Sequence, residues 1–264
     1  MNNRDRKSVA GLLLPVLLLA LIMTSGCANR QAARHDPGVT IEEARKPVRE
    51  CVKSDKRYAI DAYDPWECFN RDVYVFNYYF DKYIFLPAVG AYEWIMPDYL
   101  EDRISGIFKN FGELKNLTNN ILQFKPKPTA ITTGRVLVNT TVGLIGMYDP
   151  ATKMGFPVQK EDFGQTLGHY GVGPGPYLVL PIFGPSTLRD TAGLAVDTSV
   201  RAAALNWMTD DLTHQREVEA AVNLTEAIDT RHRTPFRYYQ SGSPFEYEFI
   251  RKLYLEKRKL DILK

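Results

Sequence analysis

From Asp64 onward the apolar residues fall into a helical rhythm. Trp66, Phe69, Val73, Phe76, Phe80 and Tyr83 recur at alternating intervals of three and four, the spacing of one helix face. Asp64-Pro65-Trp66-Glu67 opens the segment with a capping acid, a proline at the first helical position and an acid at the third, a helix-start signature. Tyr74, Tyr78 and Tyr79 widen the stripe, and a helix apolar on most sides is either buried all round or faces lipid. A second helix is predicted from Asp98, with Glu101 in capping-box position and Ile104, Phe108, Phe111, Leu114, Thr118 and Ile121 along one face; KPKP at 125–128 ends it. The following TAITTGRVLVNTTVGLIGMYDP is rich in β-branched residues, but its length and helical flanks favour helix over strand. Gly143 and Gly146 within it would let backbones approach closely. Further helices are predicted after Ser186 as N-cap, over Thr213 to His232, and over Phe245 to Leu263. The strand alternation of a sandwich or barrel is missing, so the reading is one all-α domain.

One stretch breaks the rhythm. FGQTLGHYGVGPGPYLVLPIFGPSTLRD, Phe163 to Asp190, crowds glycines and prolines around a short apolar run. Proline forbids helix interiors and central strands, so this segment is expected to be a rigid, irregular apolar loop.

The N-terminus changes the picture of where the chain works. Arg4, Arg6 and Lys7 precede an apolar run from Val9 to Met23, about fifteen residues, short for a membrane span but right for an export signal. Ser25 and Gly26 before Cys27 resemble a bacterial lipobox, with Thr24 where leucine is usual. The division expected is a lipoprotein signal peptide at 1–26, a charged tether at 27–61 beginning with lipidated Cys27, and a helical domain at 62–264. The acyl chains, palmitate among them, would anchor the protein. A flexible tether of about 34 residues reaches roughly 30–35 Å. In an oxidising compartment Cys51 and Cys68 either form a disulfide or stay free thiols.

The whole chain has a formal net charge of +2. Losing residues 1–26 removes three basic residues and one acid, which brings it to zero and gives no electrostatic reason to bind nucleic acid. His35, His169, His214 and His232 lack metal-ligand spacing, and GVGPG lacks the glycines and flanks of a dinucleotide loop. No phosphate-binding GxxxxGK[ST], GxSxG or HExxH occurs. No cofactor or metal is expected. Ser186 and His169 are the best pair available to a lipid hydrolase, though an N-cap and a structural loop histidine account for them without catalysis.

Four blocks then fit together. DPWECFNRDVYVFN, RVLVNTTVGLIGMYDPA, EDFGQTLGHYGVGPGPYLVLPIFGPSTLRDTAG and SPFEYEFIRKLYLEKR resemble, in this order along the chain, the segments of the MlaA/VacJ family of outer-membrane lipoproteins. The resemblance implies a ring-shaped helical domain embedded in the inner leaflet of the Gram-negative outer membrane, beside a trimeric porin. It implies retrograde transport: phospholipid misplaced in the outer leaflet passes through an amphipathic channel to a periplasmic lipid-binding carrier, preserving lipid asymmetry. A lipid path needs a polar lining, because a bare charge in hydrocarbon is costly. Arg135, Asn139, Thr140, Thr141, Arg189 and Asp190 are the expected lining. Phe76, Tyr78, Phe80, Tyr177, Leu178, Val179 and Phe183 are the expected membrane-facing or gating residues. The rival readings are a porin-docked structural lipoprotein that moves no lipid, and the hydrolase.

Overall fold

Proline placement explains where the first helices begin and widen. The computed structural model describes residues 64–243 and 245–264. Helix α1 (Glu67–Phe80) runs into a π turn, Asp81–Phe85, and then into α2 (Leu86–Ile95). Pro87 lies in the first turn of α2; its ring would collide with the carbonyl four residues earlier, and the π widening just upstream relieves that clash. Pro97 precedes α3 (Asp98–Leu122), and Pro126 opens α4 (Pro126–Thr141). A short α5 (Pro150–Lys153) and α6 (Phe163–His169) follow. Strands β1 (Tyr177–Leu180) and β2 (Gly184–Thr187) form an antiparallel hairpin with Tyr177 opposite Thr187 and Leu180 opposite Gly184. Helices α7 (Leu188–Thr209), α8 (Gln215–His232) and α9 (Glu246–Leu263) complete the described chain.

Helix α3 packs on α4, α6, α7 and α8; α6 lies against α7 and α9; and the hairpin meets α1 on one side and α7 and α9 on the other. The α6–α7 crossing is close. A Cβ on Gly193 would sit 2.3 Å from the Gly164 nitrogen, nearer than any side chain tolerates. Gly146, at φ +98°, likewise lies against Asn110, where a Cβ would meet that residue's Cβ at 2.3 Å, as its smallness suggested.

The helical segments stand where the spacing put them, including 126–141, but the faces they bury are rich in polar side chains and leave much of the predicted apolar stripe outside. On α1 the interior residues are Asn70, Arg71, Val73, Tyr74, Val75 and Asn77, while Trp66, Phe69, Phe76 and Tyr83 are exposed. On α3 the interior face is Glu101, Ser105, Glu113, Asn116, Asn119 and Asn120, and Ile121 and Leu122 face outward. Among the described residues buried polar side chains outnumber buried apolar ones. One small apolar cluster, Val73, Tyr74, Tyr177, Val179 and Tyr247, knits α1, β1 and α9. Within it the Tyr74 hydroxyl donates to Glu246 at 2.7 Å and Tyr247 donates to Asp64 at 2.5 Å.

Several expectations need correction. The Phe163–Asp190 segment is not an irregular loop: it holds α6 and the hairpin. Each strand has only four residues, too few to read against the neighbouring prolines. Thr187, not Ser186, caps α7, its hydroxyl accepting from the Asp190 amide at 3.2 Å. Glu101 forms no capping box and instead meets His232 at 3.2 Å. Tyr177 and Val179 are 1% exposed and point into the apolar cluster rather than outward, because the alternation of β1 turns them towards α1 and α9. The expected export signal, Cys27, the expected tether and Cys51 lie outside the described residues. Cys68 is disulfide-bonded. Among the described residues no helix is long and apolar enough to cross a membrane.

Candidate functional site: an amphipathic cavity under the hairpin

A cavity of about 460 Å³ opens where α3, α6, α7, α9 and the hairpin converge, within the usual size range of ligand sites, roughly 300–1,000 Å³. Its walls carry both apolar and charged surface. Phe111, Leu114 and Leu122 of α3, Leu194 and Val200 of α7, and Leu180 and Phe183 of the hairpin supply apolar surface. Asp162, Asp190, Tyr254 and Arg258 supply a charged wall. Lys115, Asp197, Arg201 and Glu226 also line it, so charge borders the apolar surface, and a cavity offering both suits an amphiphile.

The charged wall is built around Arg258, three helical turns along α9. Its guanidinium donates to Asp162 at 2.7 and 2.8 Å and to Asp190 at 2.9 and 3.1 Å. Tyr254, one turn earlier, donates to Asp190 at 2.9 Å, and Arg189 donates to it at 2.9 Å. Asp162 also caps α6, accepting from the Gln165 amide at 2.9 Å. Burial opposes charge on both aspartates, yet the hydrogen bonds and charge of Arg258 outweigh it and hold both carboxyls below the usual range. Asp197, also on the wall, goes the other way: burial raises its pKa despite hydrogen bonds from the Phe163 amide and Asn119.

Helix α3 steadies the cavity through its polar face. Asn119 accepts from the Thr166 hydroxyl at 2.8 Å, Asn116 accepts from the Glu161 amide at 3.1 Å, and Gln123 donates to Glu161 at 3.0 Å. Helix α1 steadies the hairpin. Asn70 donates to the Tyr177 carbonyl at 3.1 Å and accepts from the Val179 amide at 2.8 Å. Asn77, two turns on, donates to the Leu180 carbonyl at 2.9 Å and accepts from the Ile182 amide at 2.7 Å. Each asparagine thus stands in for a residue of a third strand.

The residues expected to line a lipid path are dispersed. Asp190 lines the cavity, and Arg189 is its buried ion-pair partner at 2.8 Å. Arg135 is elsewhere, paired with Glu113 at 2.7 Å and donating to Thr152 and the Phe156 carbonyl. Asn139 donates to Asp149 at 3.1 Å and accepts from the Ala151 amide at 3.1 Å. Asp149 itself is lowered to about 2: burial opposes charge, but Thr152, Asn139 and Arg135 outweigh it. These bonds tie the 149–156 segment to α3 and α4. Thr140 accepts from Asn110 at 3.0 Å, and Thr141 donates to the Leu137 carbonyl at 2.7 Å; both are exposed. Of the apolar set, Phe76 and Phe183 are exposed, while Tyr78, Phe80 and Leu178 are half-buried. The Ser186 hydroxyl engages Thr191 at 3.0 Å, and the His169 ring packs edge-on to Tyr170; among the described residues no hydrogen bond joins Ser186 to His169.

Sequence reasoning passed over Asp162, Arg258, Asn70 and Asn77. Three of these carried a readable signal: Asp162 and Gln165 have capping-box spacing, and Asn70 and Asn77, seven apart in an aromatic helix, share one face.

A family model for the MlaA lipoprotein matches residues 62–261. The chain belongs to the MlaA lipoprotein family. MlaA of the intermembrane phospholipid transport system of Haemophilus influenzae is 30% identical over 194 residues, covering 72% of this chain and 68% of that protein. Its namesake in Escherichia coli K12 is 37% identical over 150 residues, 55% of this chain and 59% of that one. An uncharacterised Rickettsia conorii protein is 40% identical over 153 residues, 58% of this chain and 59% of that one. The chain thus spans between half and three fifths of several of the curated relatives it matches. A solved structure concerned with the structural basis for maintenance of bacterial outer membrane lipid asymmetry superposes with a TM-score of 0.59 at 30% identity, over 76% of this chain and 100% of that one. The helical architecture expected from the MlaA resemblance is therefore the one observed.

Proposed function

We propose that this protein moves phospholipid between membranes. It takes phospholipid misplaced in the outer leaflet of a Gram-negative outer membrane, conducts it along an amphipathic path and delivers it to a periplasmic lipid-binding carrier. In this reading it is a lipoprotein held by Cys27, its body lies in the inner leaflet beside a trimeric porin, and it performs no covalent chemistry. Membership of the MlaA lipoprotein family and the names of its relatives support the general role.

The single observation that carries the reading is the reversed polarity of the body. Trp94, Phe124 and Trp207 are 77%, 84% and 82% exposed, while Asn70, Asn120 and Thr132 are fully buried. Fully burying a large apolar side chain is worth about 1.5–3 kcal/mol, which an aqueous surface forfeits at each such position and a lipid surface recovers. The cavity gives such a body somewhere to hold an acyl chain beside organised charge.

The test is mass spectrometry of lipid extracted with the full-length protein, alongside surface phospholipid in cells lacking the gene. Phospholipid co-purifying in stoichiometric amount, with more phospholipid exposed on the deleted cells, is the expected result. Lipid-free protein together with unchanged surface phospholipid would overturn the transport reading.

A further inference from the structure

Most of the charge around the cavity is neutralised from within. Arg258 holds Asp162 and Asp190, and Arg201 holds Glu226 and the Asn223 side chain. Two charged residues of the lining are left over, Lys115 of α3 and Asp197 of α7. The Lys115 ammonium is exposed and makes neither a hydrogen bond nor an ion pair among the described residues. Asp197 is half-buried, and its carboxylate accepts only from neutral donors. The Asn119 side chain donates to one oxygen and the Phe163 backbone amide to the other, both at 3.0 Å.

The two stand near each other without pairing. Asn119, which holds Asp197, lies one turn beyond Lys115 on α3, so both charges share one side of the cavity. Burial works against the Asp197 charge more than its neutral donors and the field of Lys115 work for it. A carboxylate so placed gains from a cation brought to it, and each of its oxygens keeps acceptor capacity. Phe111 and Leu114 precede Lys115 on α3, and Val200 follows Asp197 by one turn on α7. An unmatched cation, an unmatched anion and apolar surface therefore meet in one place.

We propose that Lys115 and Asp197 form a subsite for a zwitterionic phospholipid headgroup, phosphate on Lys115 and primary ammonium on Asp197, which selects phosphatidylethanolamine over phosphatidylglycerol. The inference rests on the reading of the cavity as a lipid site and adds the class of lipid. Phosphoethanolamine carries its opposite charges on groups joined by a short ethylene link, matching a cation and an anion that stand close without touching. Its ammonium donates charge-assisted hydrogen bonds to Asp197, which a glycerol hydroxyl cannot equal. A glycerol headgroup leaves the carboxylate uncompensated beside the lipid's own negative phosphate. Choline brings the positive charge but no N–H to donate. Phe111, Leu114 and Val200 receive the start of the acyl chains.

The experiment equilibrates full-length protein in detergent with phosphatidylethanolamine, phosphatidylcholine and phosphatidylglycerol of identical acyl chains, and quantifies bound lipid by mass spectrometry. Wild-type protein should hold phosphatidylethanolamine roughly tenfold over phosphatidylglycerol, the lower end for a hydrogen bond to a charged group, with phosphatidylcholine between. Asp197→Asn should bring that ratio close to one. Lys115→Gln, a change at an exposed position, should weaken retention of both lipids severalfold and leave their ratio alone. Water-soluble glycerophosphoethanolamine at the same concentration should displace little lipid, because it lacks the chains that the apolar wall takes. Displacement as strong as that by the lipid would overturn a lipid subsite in favour of a site for the free headgroup. Equal wild-type loading of phosphatidylethanolamine and phosphatidylglycerol, or a ratio that survives Asp197→Asn, would overturn the subsite while leaving the cavity reading intact. The wild-type ratio and Lys115→Gln decide the matter even if Asp197→Asn fails to fold. Wild-type protein that holds none of the three lipids would overturn both.

Discussion

Replacing Arg258 by methionine isolates the charge that organises the cavity wall. Methionine keeps most of the stem's volume, so packing in α9 is largely preserved, while four hydrogen bonds of 2.7–3.1 Å to Asp162 and Asp190 are lost. The side chains involved are at most 26% exposed, so solvent cannot replace the guanidinium fully. Removing one partner of a buried pair costs about 3–5 kcal/mol. Asp190 keeps Arg189 at 2.8 Å and Tyr254 at 2.9 Å, which places this variant near the lower end. A domain of this size loses about 2–4 °C per kcal/mol, so the midpoint in detergent should fall by about 6–12 °C.

The pH dependence identifies the cause. Both aspartates are held below their ordinary range in the folded protein. A lowered carboxyl pKa contributes stability that is present above the unfolded value, about 3.9, and lost as pH falls through the folded one. The gap between wild type and Arg258→Met should therefore be full at pH 7 and shrink below about pH 4. Circular dichroism melts at pH 7 and pH 3 measure this. A gap as large at pH 3 as at pH 7 would show that shape and not charge made the difference, and an unchanged midpoint at pH 7 would refute the wall as described.

Asn70→Ala should cost about 1–3 kcal/mol in urea unfolding, because it strands the Val179 amide and the Tyr177 carbonyl in a buried site. Gly193→Ala should cost about 1–3 kcal/mol or more, since its Cβ would meet the Gly164 backbone; Gly90→Ala, in open space on α2, should instead be neutral or gain up to about 1 kcal/mol. Phe124→Glu should reduce co-sedimentation with phospholipid vesicles while leaving the melting midpoint in detergent unchanged; wild-type sedimentation would count against a lipid-facing surface there.

Helices were legible because spacing is local: Trp66 to Tyr83 and Ile104 to Ile121 mark periods that no tertiary contact needs to supply. Which face turned inward was not legible. The expectation that apolar residues face a core assumes water outside, and NLTNN at 116–120 reads as surface by that rule. In the structure Asn116, Asn119 and Asn120 are instead the side chains that hold α3 to α4, α6 and α7. The cavity was less legible still, because its determinants are distant pairs. Arg258 meets a residue 96 positions away and Asn77 one 105 positions away, and no local pattern announces either. The hairpin was hidden for the same reason: its strands are short and proline-broken, and the partner completing its edge is a helix.

The proposed lipid setting would account for both the reversed faces and the distant polar pairs. Where hydrocarbon surrounds a body, apolar contacts between helices offer no gain over contacts with lipid, so association must come from close packing and polar bonds. Glycine against glycine at the α6–α7 crossing supplies the first, and Arg258, Asn119 and the two hairpin asparagines supply the second. The same interior in water would forgo the solvation of its aromatic exterior's neighbours without gaining a hydrophobic core in return. If lipid covers Trp94, Phe124 and Trp207, the inward asparagines and arginines are what hold the helices together; if water covers them, the chain has put its most valuable apolar side chains where they stabilise nothing. Measuring which solvent the two tryptophans meet, by quenching fluorescence at Trp94 and Trp207 with brominated lipid against aqueous iodide, decides between the two.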